Sequence, residues 1–347
     1  MTSAPPSPPR ADQPVSIGQD TASPSVVRSG GCHRPNWHLG QVIEGLRQAR
    51  HDWREQHGRE LEMGSRELPS HDAIHKFMDT LCGVLFPMRL GPPDLNKEGE
   101  DYFVGHTLNN ALNILYAQVI LELEYKKQAP PHEVEGRARE VVRAFAHELP
   151  GIRRMLDQDV TAAYRGDPAA TCVDEVLICY PGVYAIIHHR IAHEFYKLGL
   201  RLIARIIAEK AHSATGIDIH PGATIGREFF IDHGTGVVIG ETCIIGDRVR
   251  LYQAVTLGAV RFQEDESGSL KKGEPRHPIV EDDVVIYAGA TILGRITLGK
   301  SSVIGGNVWL TRSIPANSQI SQASSRKSTD CVTEDCVTLG DKTQQGG

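Results

Sequence analysis

Asp218-Ile219-His220-Pro221 is followed, fifteen residues after the aspartate, by His233 inside Ile231-Asp232-His233-Gly234-Thr235-Gly236. A carboxylate beside an imidazole fixes its tautomer and stabilises its protonated form, which is what a general base requires. Asp218 and His233 are therefore read as a catalytic pair, with a surface Asp–His contact as the alternative. A second cluster, Pro275-Arg276-His277-Pro278, places a planar cationic fork beside another donor, with proline stiffening both sides. That set suits a substrate carboxylate, although a solvated loop arginine reads the same way. In the third, Gly166-Asp167-Pro168-Ala169-Ala170, the Asp-Pro step predicts an N-cap with proline in the first helical turn. Asp167 is then a structural cap or a ligand. His189 and His193 are spaced as metal ligands can be, but no glutamate follows the first of them as a zinc protease needs. Cys331 and Cys336 lack a second ligand pair.

The elements that must position these groups carry an unusual rhythm. Aliphatic residues recur every six positions: Ile219, Ile225, Ile231; Ile239, Ile245, Leu251, Leu257; Val280, Ile286, Ile292, Leu298, Ile304, Leu310. Neither an α-helix nor an alternating strand has that period. A parallel β-helix does, each hexad giving one short strand, one inward aliphatic and one turn. Gly226, Gly240, Gly246, Gly258, Gly299 and Gly305 follow six of these residues, matching turns that need positive φ or close backbone approach. In a coil of about 18 residues, a separation of fifteen brings Asp218 and His233 to adjacent turns on neighbouring levels. The segment 259–277 leaves the hexad rule and is rich in charge, as a functional loop would be.

Upstream, Leu39, Val42, Ile43, Leu46 and Ala49 form one helical stripe. Further helices are predicted over 74–86, 108–123, 134–147 (ending at Pro150), 152–164, 182–198 and 199–211. The fold class is α+β: an N-terminal all-α helical domain followed by a C-terminal left-handed parallel β-helix. The boundaries read as a disordered tail 1–36, a helical domain 37–212, a β-helix 213–318 with its loop 259–277, and a polar tail 319–347. A formal charge of −6 over 347 residues gives no reason to expect a nucleic-acid partner. No apolar stretch approaches the roughly 20 residues of a membrane helix. Seven cysteines, an odd number, argue against a disulfide framework. A cytoplasmic protein is expected.

In order, Asp167 to Ala170, Asp218 to Pro221, Asp232 to Gly236, Gly240 to Thr242, Val255 to Gly258 and Arg276 to Pro278 resemble the motifs of the serine O-acetyltransferases, within the hexapeptide-repeat acyltransferases. The resemblance spans about residues 165 to 315. It implies acetyl transfer from acetyl-CoA, as co-substrate, to the hydroxyl of L-serine, with no metal. By that likeness His233 is the base and Asp218 its orienting partner. Asp167 and Asp232 hold the substrate ammonium, and Arg276 and His277 hold its carboxylate. CoA lies in a groove between coils, near Gly258, Ala288 and Gly289. The likeness also implies a homotrimer or dimer of trimers and feedback inhibition by L-cysteine. Ala259 replaces a second glycine of many relatives, and the chain ends Gln345-Gly346-Gly347 where many end in the isoleucine that plugs O-acetylserine sulfhydrylase. Anchoring of that partner by the last residue is therefore not expected. The alternatives are another hydroxyl acceptor (homoserine or a sugar), a γ-carbonic-anhydrase-like zinc hydratase using His220, His233 and His277, and a non-catalytic scaffold.

Overall fold

The computed structural model describes residues 37, 39–58, 68–125, 130–260 and 273–322. The predicted tail 1–36 falls outside these, as do 323–347 of the predicted tail 319–347 and most of the predicted loop 259–277. The chain divides into two compact units, Met1–Gly64 and Ser65–Gly347. The first contains α1 (Leu39–Gln56), where the stripe Leu39, Val42, Ile43 and Leu46 does lie on a helix.

The second unit opens with helices α2 (His71–Leu85), α3 (Pro87–Leu90), α4 (Glu100–Tyr125), α5 (Val134–Gly166), α6 (Val173–Cys179), α7 (Pro181–Lys197) and α8 (Arg201–Thr215). Their apolar faces meet in a core built on Phe77, Phe145 and Phe195, with Phe145 and Phe195 stacked at 4.3 Å between ring centroids. Burial of each such ring contributes about 1.5–3 kcal/mol. The carboxylate of Glu122, fully buried in α4, accepts the backbone N–H groups of Leu202 (2.9 Å) and Ile203 (2.8 Å). It thereby satisfies donors that the first turn of α8 leaves unpaired.

Two sequence expectations are corrected here. The helices predicted over 134–147 and 152–164 are one helix of 33 residues that runs through Pro150, which sits on the exposed side. Asp167 does not start a helix. It terminates α5, its N–H donating to Ala163 O, and α6 begins only after Cys172. The Asp-Pro step signals a turn rather than an N-cap, because Pro168 favours an extended residue before it and Asp167 has φ −111, ψ 111.

From Gly216, in the left-handed conformation with φ +69, the chain enters the left-handed parallel β-helix. Among the described residues, fourteen short strands, β1 (Asp218–Ile219) to β14 (Gln319–Ile320), form three parallel sheets with orders β1-β4-β7-β10-β13, β2-β5-β8-β11 and β3-β6-β9-β12-β14. The hexad aliphatics stack inside: Ile219 on Ile239 on Leu257 on Ile292 on one face, and Ile231 on Leu251 on Ile286 on Ile304 on another. The glycines after the aliphatics serve close approach, not positive φ. A Cβ on Gly299, for example, would lie 2.3 Å from the backbone N of Ala316. Left-handed corner positions are held instead by residues such as Arg248, Ala254, Asp283 and Asn307.

A buried ion pair between two helices also ties them to the coil. Asp159 of α5 and Arg190 of α7 form a double contact, 3.0 Å on each side. Arg190 also donates to the carbonyls of Ile225 and Gly226 at 2.6 Å, while Phe229 N–H donates to Asp159.

Candidate functional site

From Ile231 to Ile239 the coil takes eight residues where its regular corners take six. The surplus forms a corner in which His233 (φ +59), Gly234 (+91) and Gly236 (+78) all have left-handed backbone. For His233 that conformation costs roughly 1–2 kcal/mol, a strain the turn must hold. It leaves the imidazole 72% exposed, with its Nδ1 3.9 Å from Oδ1 of the buried Asp232. Asp232 is fixed in turn by Arg250 on β6 (Arg250–Leu251), whose Nη2 donates to Oδ2 at 2.6 Å. Asp167 stands nearby at the end of α5. Tyr180 donates its hydroxyl to Asp167 Oδ2 at 2.5 Å, and Ala169 N–H donates to Oδ1. These two bonds, with smaller pulls from Arg250 and His233, hold the Asp167 carboxyl below its ordinary value. Tyr180, bonded to that carboxylate, is pushed up to about 12 and stays a donor.

Asp218 lies on β1, half-exposed. Its strand is stitched to the His233 corner by Gly236 N–H to Gly216 O (2.8 Å) and Asp218 N–H to Val237 O (2.9 Å). Among the described residues, the carboxylate in ion-pair range of His233 is that of Asp232, not Asp218.

The opposite edge of the same sheet carries a second cluster. Arg276 Nη2 donates to Glu241 at 2.7 Å, and Glu241 also accepts from Tyr196. The Thr242 hydroxyl accepts from the backbone N–H of Arg276 (2.9 Å) and of His277 (3.1 Å). Thr242 N–H donates to His277 Nδ1, so the ring carries its proton on Nε2. Arg295 braces the carbonyls of Thr242 and His277. Burial, then Arg276, lowers His277 to about 4; burial, then Arg205, does the same for His220. Both rings are neutral donors at neutral pH. Gly240 exists for His277: a Cβ there would sit 2.0 Å from the ring Cδ2. Gly240→Ala is expected to cost about 1–3 kcal/mol of stability by overpacking. An unchanged urea midpoint would show that the ring does not press on this backbone.

Gly258 closes β7 (Thr256–Gly258) at this second edge, while Ala288 and Gly289 precede β10 (Thr291–Leu293) at the His233 edge. One chain thus gathers Asp167, Asp232 and His233 at one edge, and Arg276, His277 and Gly258 at the other, with Asp218 on the face between. Val237 and Gly240 lie three residue steps apart across that face, about 10 Å at the rise of a strand. The three histidines of the zinc-hydratase reading are split likewise, His233 on one edge and His220 with His277 on the other. Among the described residues, no group of three or more His, Cys, Asp or Glu could hold a metal ion. Sequence reasoning gave no role to Tyr180, Arg250, Glu241, Thr242 or Arg295. Glu241 and Thr242 stood in a quoted motif, whereas Arg250 occupies an outward hexad position that nothing in the pattern marks.

The chain is 55% identical over 299 residues to "Serine acetyltransferase, plasmid" of Synechococcus elongatus, covering 84% of this chain and 93% of that one. It is 47% identical over 167 residues to the serine acetyltransferase of Bacillus pumilus, 48% of this chain and 73% of that one. Among solved structures it resembles Entamoeba histolytica serine acetyltransferase 1 in complex with L-cysteine, with a TM-score of 0.62 and 40% identity over 70% of this chain and 85% of that chain. No family model matches. In class, the coil and its helical preface are those of an acyltransferase. The chain belongs to the serine acetyltransferase family.

Proposed function

We propose that this protein transfers acetyl from acetyl-CoA to the hydroxyl of L-serine, releasing O-acetylserine and CoA in the cytoplasm on the way to L-cysteine. The observation that carries this reading is the exposed His233 imidazole on the enlarged corner, beside the carboxylates of Asp232 and Asp167. His233 removes the serine hydroxyl proton, and Asp218, the proposed orienting partner, acts from beyond ion-pair range in one chain by favouring the ring's cation. The oxygen attacks the thioester carbonyl, the C–S bond breaks, and the sulfur leaves as CoA, reprotonated by the imidazolium. No acyl-enzyme is needed.

Asp167 and Asp232 hold the substrate ammonium. Arg276, sharing its fork with Glu241, and the Nε2–H of His277 hold the carboxylate. Serine is too short to span the two edges of one coil. A neighbouring copy therefore supplies the second edge, in a homotrimer or a pair of trimers, with CoA along the groove by Gly258, Ala288 and Gly289. L-Cysteine carries the same ammonium and carboxylate and competes for the same clamps; the L-cysteine complex of the Entamoeba relative supports this.

Thiol release from acetyl-CoA tests the reading, with L-serine, homoserine and a sugar as acceptors. Turnover should require serine, and faster turnover of another acceptor overturns the assignment. In the same assay Arg276→Ala should raise the KM for serine about tenfold or more, as loss of a charged hydrogen bond does. The KM for acetyl-CoA should hardly move. Equal rises in both would remove the carboxylate role.

A further inference from the structure

We propose that Arg250 is a positioning residue for the ammonium end of the site, locking a carboxylate of the coil to the end of the helical segment. One guanidinium does both: Nη2 donates to Asp232 Oδ2 at 2.6 Å and Nη1 donates to the Gly166 carbonyl at 2.7 Å. Gly166 directly precedes Asp167. The two carboxylates assigned to the substrate ammonium come from segments far apart in sequence, and this side chain spans them.

The fork cannot swing away. Its carbon lies 5.0 Å from the ring centroid of Phe230 and 4.7 Å from that of Tyr252, and Tyr252 stacks on Tyr287 at 5.0 Å. Only 24% of the side chain is exposed, and Nε is buried with no partner. A Cβ at Gly166 would come within 2.9 Å of Phe230 Cδ1, so glycine allows the helix end to approach this closely. Lysine reproduces the charge but not the two diverging donors. The Arg250 cation also favours the ionised carboxylate of Asp167, after the Tyr180 and Ala169 hydrogen bonds.

This inference rests on the reading that Asp167 and Asp232 bind the serine ammonium. The test compares L-serine with 3-hydroxypropanoate, which keeps the hydroxyl and carboxylate and lacks the amine. The unmodified protein should prefer serine strongly in kcat/KM; equal use of both overturns the ammonium clamp itself, and this inference with it. In R250M the serine preference should fall about tenfold or more, through the KM for serine, while turnover of the analogue changes little. R250K, which preserves the cation and more of the fold, should lose about threefold of that preference. Should R250M fail to fold, R250K carries the test. An unaltered preference in the folded variants, with thermal stability or both substrates' turnover reduced alike, would make Arg250 merely structural and overturn the proposal.

Discussion

His233→Ala should lose acetyl transfer by about 10²–10⁴-fold, the range that a positioned general base supplies. The folded protein should barely notice. The imidazole is 72% exposed, so the change in unfolding free energy should stay within about 0.5 kcal/mol. Steady-state turnover and urea unfolding of the same preparation give both numbers. Near-normal turnover would falsify the assignment of the base. The companion Asp218→Ala sharpens the point. Because Asp232 is the carboxylate in ion-pair range of the ring in one chain, loss of Asp218 should reduce turnover less than loss of His233 itself.

The largest stability effect is expected at a residue far from the chemistry. Asp159→Ala leaves the Arg190 guanidinium buried between α5, α7 and the first coil without its counter-ion. That situation costs about 3–5 kcal/mol, a large share of a domain's total. Burial pushes the Asp159 carboxyl up against the pull of Arg190. Desolvation therefore offsets much of the pair's attraction, and the penalty arises mainly from the charge left behind. Replacing both partners with leucine should recover much of the loss, in contrast to the single change. Chemical denaturation decides it: a single variant within about 1 kcal/mol of the parent would mean that water reaches Arg190.

The coil was legible because its period is the fold: an inward residue every six positions can be satisfied only by stacking, and the stacked registers of Ile219, Ile239 and Leu257 are those the spacing implies. Helix α5 was legible in content but not in extent, since Pro150 breaks a helix only where its missing donor or its ring cannot be accommodated, and an exposed position accommodates both. Site residues were legible where the motif is local, as for Asp232 with His233 and for Arg276 with His277. What could not be read was long-range partnering. Nothing about Arg250 in sequence says that the carbonyl of Gly166, on another element, will accept its hydrogen bond. Glu241 is similar, standing 35 residues from the Arg276 it binds. The reason for the glycines was half right, because contact between levels, unlike local φ, depends on which turn comes to lie beneath.

The enlarged corner between Ile231 and Ile239 makes scaffold and reactivity independent variables. The triangular prism asks for six residues per side and would close without the surplus. A chain trimmed there to the common measure would keep its stacked interior and forfeit the protruding ring. Whole turns could likewise be added or removed farther along the prism, altering its length while leaving the reactive corner untouched.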